Sequence, residues 1–262
     1  MKAEIAGGPI RYETAGEAGP TLLLVHGLGG SGQQWAAAAG LLSPVCRLVI
    51  PDLRGHGASH KPAGPYSVKG WADDLAALCK AAGVERCVAV GASVAGAIVL
   101  QLAAEHPGLV QGVIPVGGFP ALGPAGKERM TQRAAAAEAQ GMAGVVEGIL
   151  AGALGSTTHA TKPDLVASVR SGLLENEPRA YAAATRAVVA VDVQASLARV
   201  KCPALLVFGV EEKVAPLPAQ AALKKALPHA QLRAIPGAGH LPFLEQPGAF
   251  AAAVMEFVAG LP

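Results

Sequence analysis

The clearest indication of the fold is the hexapeptide Gly91-Ala92-Ser93-Val94-Ala95-Gly96. The apolar run 87–90 before it predicts a buried strand, and the apolar run 97–100 after it predicts a helix. A serine between small residues at such a junction is typical of a nucleophile elbow, a sharp turn that exposes the serine hydroxyl. The N–H of Val94 would then lie at the positive end of the helix, where it can stabilise an oxyanion. Because Ala95 replaces the second glycine of Gly-x-Ser-x-Gly, an ordinary strand–helix turn is the alternative.

The composition excludes several classes of protein. The chain has 262 residues, of which 52% are hydrophobic and 4% aromatic, so Ala, Val and Leu build its core. This length suits one large domain or two small ones. The net charge is +2, and acidic and basic residues are interspersed. We therefore expect no nucleic-acid partner and no charged disordered tail.

Cysteine usage and apolar segments favour a cytoplasmic protein. The four cysteines are scattered and form no Cys-x-x-Cys pair, which indicates free thiols in a reducing compartment. The N-terminus carries Glu4 and lacks the apolar core of a signal peptide. The longest apolar stretch, residues 88–104, is shorter than the roughly 20 residues that cross a bilayer. We expect no membrane partner.

Alternating apolar segments predict an α/β fold, with a mostly parallel twisted sheet and helices on both faces. The predicted strands are two short ones within residues 3–15, then 21–25, 47–50, 87–90, 110–116, 204–208 and 231–235. Predicted helices include one that Ser67 caps and others around residues 218–227 and 243–259. Residues 121–195 lack a strand pattern and predict a helical cap, or lid. Residues 1–120 and 196–262 would then form the core domain.

A serine nucleophile needs a base, and the position of His240 favours it. The seven histidines are His26, His56, His60, His106, His159, His229 and His240. His240 follows the last predicted strand directly, and loops at the carboxyl ends of parallel strands form the sites of such sheets. The other histidines lie in turns, in polar loops or at the ends of strands and helices.

The base needs an orienting acid, for which the sequence leaves three candidates. Glu211 and Glu212 follow the predicted strand 204–208, and either gives the chain order serine, acid, histidine. Asp192 is the third candidate, but it precedes a helical pattern and is better explained as a helix cap.

A second oxyanion donor is expected from the glycine-rich loop His26-Gly27-Leu28-Gly29-Gly30. Glycines there allow the backbone to approach a substrate and direct an N–H at the developing charge. No Gly-Lys-Ser or Gly-Lys-Thr follows, which argues against a phosphate-binding loop. We predict neither a metal ion nor a cofactor.

These motifs resemble the α/β-hydrolase superfamily over essentially the whole chain. Besides the elbow, the resemblance rests on residues 24–27, 52–59, 105–107, 209–216, 239–242 and 245–247. Residues 54–67 are similar to the branch of 3-oxoadipate enol-lactonases and small carboxylesterases.

The resemblance implies a role for each site residue. Ser93 would be the nucleophile, His240 the base and Glu212 the acid, and the N–H groups of Leu28 and Val94 would form the oxyanion hole. Glu212 stands where the family usually has aspartate, and Ala95 adds a Cβ that could strain the turn and lower activity.

A serine nucleophile implies an acyl-enzyme, and so a serine hydrolase of carboxylic esters with a small-molecule partner, as a monomer or homodimer. The alternatives are an enol-lactonase or other lactone or C–C hydrolase, and a non-catalytic binding protein on the same fold. Residues 134–154 carry only Glu138 and Glu147 as charges, which predicts an apolar acyl or alcohol group. A lactonase would need a cation for its substrate carboxylate. The available arginines are Arg129, Arg133, Arg170, Arg179 and Arg186.

Overall fold

Eight strands form one sheet in the computed structural model, which describes residues 1–215 and 217–261. The strands are β1 (Lys2–Ala3), β2 (Ile10–Ala15), β3 (Thr21–Val25), β4 (Arg47–Pro51), β5 (Cys87–Ala92), β6 (Val110–Val116), β7 (Leu205–Gly209) and β8 (Gln231–Ile235). Their order in the sheet is β1-β2-β4-β3-β5-β6-β7-β8. β2 pairs antiparallel with β1 and β4, whereas the pairs from β4–β3 to β7–β8 are parallel. The predicted α/β class with a mostly parallel sheet is confirmed.

Helices cover both faces of this sheet. They are α1 (Ala36–Leu42), α2 (Val68–Ala81), α3 (Val94–Glu105), α4 (Pro124–Gln140), α5 (Val146–Ala153), α6 (Ser156–Thr161), α7 (Pro163–Leu174), α8 (Pro178–Val189), α9 (Gln194–Leu197), α10 (Leu217–Ala226), α11 (Pro242–Glu245) and α12 (Pro247–Ala259). On β3, Leu23 and Val25 join one buried apolar cluster, and Leu22 and Leu24 join another. Burial on both faces explains why the central strands are continuous apolar runs.

Local sequence explains where these helices begin and end. The hydroxyl of Ser67 accepts a hydrogen bond from the N–H of Gly70 at 3.0 Å, as predicted for the cap of α2. The prediction of one helix over residues 243–259 is wrong, because α11 ends at Glu245 and α12 begins at Pro247. Proline has no N–H to continue a helix and drives the residue before it out of the helical region. Gln246 accordingly has φ −138° and ψ 62°.

The predicted cap, residues 121–195, contains helices but no strand. Its ends meet in an isolated antiparallel bridge between Ala121 and Asp192. Entry and exit of the segment are therefore adjacent, as an insertion into a core domain requires. The division of the chain into core and cap stays a prediction that this bridge supports.

The structure gives the burial of the four cysteines and the length and polarity of the helices. Cys46, Cys79 and Cys87 are buried free thiols, and Cys202 is a half-buried one. Across residues 1–215 and 217–261, every helix is too short or too polar to cross a membrane.

Candidate active site

Ser93 lies at the turn between β5 and α3 in a conformation that few non-glycine residues adopt. Its φ is 57° and its ψ is −122°, and it has the only positive φ of any non-glycine residue in the described ranges. A Cβ on Gly91 would lie 2.2 Å from the carbonyl oxygen of Ala95, and a Cβ on Gly96 would lie 2.8 Å from the Cα of Gly118. Glycine at these two positions therefore permits the tight turn.

Ala95 itself fits without a positive φ. It lies in the first turn of α3, is fully buried and belongs to an apolar cluster of the core. The elbow therefore accepts a Cβ at position 95, while Gly96 makes the close approach to the end of β6.

His240 and Glu212 form a buried pair in the loops that follow β8 and β7. The Nδ1 of His240 lies 2.6 Å from the Oε2 of Glu212, and their side chains are 5% and 3% exposed. The other carboxylate oxygen of Glu212 accepts from the N–H groups of Val214 at 2.6 Å and Ala215 at 3.0 Å. A Cβ on Gly117, whose φ is 58°, would lie 2.8 Å from Nδ1 of His240, so only glycine fits beside the pair.

The environment keeps Glu212 ionised. Burial raises the pKa of its carboxyl, but His240 and the two backbone N–H groups more than offset this, so the pKa lies below its ordinary value. An ionised carboxylate only accepts hydrogen bonds, so Nδ1 of His240 carries the proton. The buried Nε2 of His240 has no hydrogen-bond partner in the part of the chain that the structure describes. This nitrogen is therefore free to take a proton.

Leu28, in the loop after β3, and Val94, at the start of α3, are the two candidate oxyanion donors. The Nε2 of His26 accepts from the N–H of Leu53 at 2.9 Å, so its Nδ1 carries a proton and donates to the carbonyl of Gly27 at 2.7 Å. Burial lowers the pKa of His26, which keeps its ring neutral. The N–H groups of Leu28 and Val94 donate no hydrogen bond among residues 1–215 and 217–261. They remain available to a substrate oxygen.

The other two acid candidates lie in different surroundings. Glu211 accepts hydrogen bonds from the hydroxyls of Ser156 and Thr157 and, at 3.0 Å, from the N–H of Thr157 at the start of α6. These bonds lower its pKa to about 2. Asp192 accepts from the N–H of Gln194 at 3.1 Å at the start of α9, as predicted for a helix cap. Of the three acids, Glu212 alone contacts His240.

Ser93 and His240 face one cavity of about 280 Å³ between the sheet and the predicted cap. Apolar and small residues of the cap line it, among them Met130, Gly148, Ile149, Gly152, Ala153, Val169, Leu173 and Val188. Glu138 and Glu147 are not among the described residues that line it. Glu138 forms an ion pair with Arg186, and Glu147 forms one with Arg170. The lining is thus mainly apolar, as the sequence predicts.

Comparison with known proteins identifies the family. The family model described as alpha/beta hydrolase fold matches residues 20–247. The chain belongs to this family. Its relatives include a pimeloyl-[acyl-carrier protein] methyl ester esterase of Aromatoleum aromaticum, 28% identical over 92% of this chain and 99% of the relative.

Two solved structures are similar to this hydrolase along almost their whole length. The enol-lactonase from Burkholderia xenovorans LB400 has a TM-score of 0.93 and 26% identity, with 99% of this chain and 100% of that chain covered. A malate-bound thermophilic esterase from Thermogutta terrifontis has a TM-score of 0.92 and 27% identity, with 99% and 97% covered. The predicted resemblance to the branch of enol-lactonases and esterases is confirmed.

The sequence did not predict the structural role of Glu245 in this hydrolase. Its side chain is fully buried, and one carboxylate oxygen accepts from the N–H groups of Gly239 at 2.9 Å and Leu241 at 3.2 Å, on either side of His240. The other oxygen accepts from the N–H of Gly155 at 2.7 Å and the hydroxyl of Thr158 at 2.6 Å. Glu245 therefore joins the loop of His240 to the predicted cap.

We expect Glu245→Gln to lower the free energy of unfolding by about 3 kcal/mol, because one carboxamide nitrogen would face two buried donors that lose their acceptor. Urea denaturation measures this change. Glu256→Gln is the matched control, since Glu256 is 67% exposed and pairs with Arg233 at the surface. Its loss should cost less than about 1 kcal/mol. Equal stability of the two variants would contradict a structural role for the Glu245 carboxylate.

Proposed function

We propose that this hydrolase cleaves carboxylic esters through an acyl-enzyme on Ser93. The observation that carries the proposal is the buried Glu212–His240 pair: Nε2 of His240 has no hydrogen-bond partner among the described residues, and His240 lines the same cavity as Ser93. An ionised acid, a histidine with a fixed tautomer and a serine on a strained turn are the parts that a hydroxyl nucleophile needs.

The first half of the reaction forms the acyl-enzyme. Oγ of Ser93 attacks the ester carbonyl carbon as Nε2 of His240 takes its proton, and the carbonyl electron pair moves to the oxygen. The N–H groups of Leu28 and Val94 then donate to this oxyanion. When the oxyanion collapses, the C–O bond to the alcohol breaks, and the proton on Nε2 passes to the leaving oxygen.

The second half regenerates the enzyme with water. Nε2 of His240 takes a proton from a water molecule whose oxygen attacks the acyl carbon, and the same N–H groups hold the second oxyanion. The bond to Oγ of Ser93 then breaks, the proton returns to Oγ and the carboxylic acid leaves. The carboxylate of Glu212 stabilises the imidazolium in both halves without taking its proton.

Hydrolysis of a lactone is the second candidate. The reacting atoms are the same, but the leaving oxygen stays tethered to the acyl group. The observation that favours it is the presence of Arg129 and Arg133 in the cavity lining, which a carboxylate-bearing lactone could contact. Similarity to an enol-lactonase at a TM-score of 0.93 supports the same candidate.

Active-site labelling tests the proposal. We expect a fluorophosphonate to label the native protein on the peptide that contains Ser93, and heat-denatured protein to remain unlabelled. Native protein that has not been exposed to the label should hydrolyse 4-nitrophenyl esters with a preference for short acyl chains, because a cavity of about 280 Å³ is at the small end for ligand sites. A panel from acetate to octanoate, beside simple lactones, gives kcat/KM for each class. A native protein that takes no label and hydrolyses nothing would instead be a binding protein.

A further inference from the structure

Among the residues that the structure describes, three basic side chains and no acidic side chain line the cavity of Ser93. They are Arg129 and Arg133 of α4 and Lys213 of the loop after β7. None of them forms an ion pair within 4 Å among the residues that the structure describes. Arg133 is half-buried, whereas Arg129 and Lys213 are exposed, so positive charge lies both at the exposed rim and within a mainly apolar cavity.

The acids nearby are already engaged elsewhere. Both oxygens of Glu212 accept hydrogen bonds from His240, Val214 and Ala215, so the carboxylate is directed at these donors and forms no ion pair with Lys213 among the described residues. On α4, Glu128 is exposed, is not among the described residues that line the cavity, and accepts from the side chain of Gln132 at 2.8 Å. Arg133 lies beside the hydroxyl of Tyr181, whose pKa burial raises, so this neighbour is neutral and offsets no charge.

The positions of Arg129 and Arg133 destabilise the helix α4. Arg129 and Arg133 are four residues apart on α4 and share one face, and like charges at this spacing destabilise a helix. In contrast, Arg170 and Arg186 of the same predicted cap are each paired with a glutamate. Uncompensated charges that face a cavity indicate that the missing counter-charge belongs to a ligand.

We propose that Arg129, Arg133 and Lys213 form an anion-binding subsite, so that the substrate is a small ester or lactone bearing a carboxylate. This inference rests on the proposed function, since the ester group must reach Ser93. The guanidinium fork matches a planar carboxylate, and the small cavity favours this group over a bulkier anion. The carboxylate lies towards the mouth and the reacting carbonyl lies deeper, at Ser93.

Matched pairs of substrates test the subsite. Monomethyl succinate, glutarate and adipate carry the carboxylate, and the methyl esters of 4-oxopentanoic, 5-oxohexanoic and 6-oxoheptanoic acid carry a methyl ketone in its place. We expect the best acid ester to exceed its ketone partner about tenfold or more in kcat/KM, as one charge-assisted hydrogen bond would give. Arg133→Gln should bring the ratio of acid-ester to ketone-ester kcat/KM close to one. Lys213→Gln, on a different element, should reduce it.

Controls separate this inference from the proposed function. Arg170→Gln removes a cap arginine that does not line the cavity, and it should leave the preference intact. Adipate should inhibit the wild type competitively, and more strongly than inorganic phosphate at equal concentration. Equal rates for acid and ketone esters, unaffected by Arg133→Gln, would overturn the subsite while ester hydrolysis stands. Stronger inhibition by phosphate would overturn the assignment to carboxylate. Absence of hydrolysis and of fluorophosphonate labelling would overturn the proposed function itself.

Discussion

Ser93→Ala should lower kcat/KM for the best ester by roughly 10⁴-fold or more, because nucleophile and base act as a unit. The change removes one oxygen atom from a turn whose backbone contacts do not involve the hydroxyl, so the variant should fold as the wild type does. Activity on 4-nitrophenyl esters and circular dichroism measure the two effects. Activity within tenfold of wild type would place the nucleophile elsewhere.

Ser93→Gly provides a second, independent readout at the same position. At φ 57° and ψ −122° a Cβ is strained, and glycine relieves that strain. We expect Ser93→Gly to be as inactive as Ser93→Ala but about 1 kcal/mol more stable in urea denaturation. A glycine variant less stable than the alanine variant would contradict the presence of strain at the elbow.

The fold was predictable because its central strands are buried on both faces. Continuous apolar runs such as 22–25, followed by His26-Gly27, and 48–50, followed by Pro51, indicate strands that are buried on both faces, as in a parallel sheet. The end of α11 at Glu245 was missed because the helix was predicted from the spacing of apolar residues, and this spacing takes no account of a proline between them. Pro247 nevertheless carries the information, since it both ends α11 and begins α12.

The placement of the candidate site residues was predictable from chain order, since Ser93, Glu212 and His240 each lie in the turn or loop that follows a strand. The distinction between Glu211 and Glu212 was open from the residues alone, because both lie in one loop and only three-dimensional packing separates them. The structure turns Glu212 towards His240 and Glu211 towards α6. Gly117 and Glu245 were missed for a related reason. Their contacts join segments far apart in sequence, and neither residue belongs to a periodic pattern.

The cationic lining could be predicted only as a set of candidates. Sequence offers five arginines in the predicted cap, and nothing in local pattern says which ones face inward. Arg170 and Arg186 form ion pairs with glutamates of neighbouring helices. Arg129 and Arg133 instead line the cavity. Helix packing decides between these outcomes, so the charge of the cavity emerges from tertiary structure.

Glu212→Gln is expected to lower kcat by three to four orders of magnitude, roughly, with little change in KM. A carboxamide can present its NH₂ group to Nδ1 of His240, which favours the tautomer that carries the proton on Nε2 and blocks the base. The variant also loses the negative charge that stabilises the imidazolium. Glu212→Asp keeps the charge but shortens the side chain by one methylene, so it should retain more activity than Glu212→Gln.

Glu211→Gln is the matched control, one residue away with the same chemical change. It should leave kcat and KM nearly unchanged, because Glu211 contacts Ser156 and Thr157 and not His240. Its effect should appear in stability. The folded-state pKa of Glu211 is lowered from 4.5 to about 2, so its contribution is present above pH 4.5 and is lost as the pH falls towards 2. The difference in stability between wild type and Glu211→Gln should therefore shrink over this range.

Asp192→Ala completes the comparison of the three acids. Loss of the hydrogen bond to the N–H of Gln194 should cost about 1 kcal/mol of stability and leave the kinetics unchanged. Steady-state kinetics and urea denaturation of the three variants then separate catalysis from capping. If Glu211→Gln were the inactive variant, the acid would be Glu211, and the 2.6 Å contact between Glu212 and His240 would not be the functional one. If Asp192→Ala alone were inactive, the acid would come from the end of the predicted cap, and the loop after β7 would only shape the cavity.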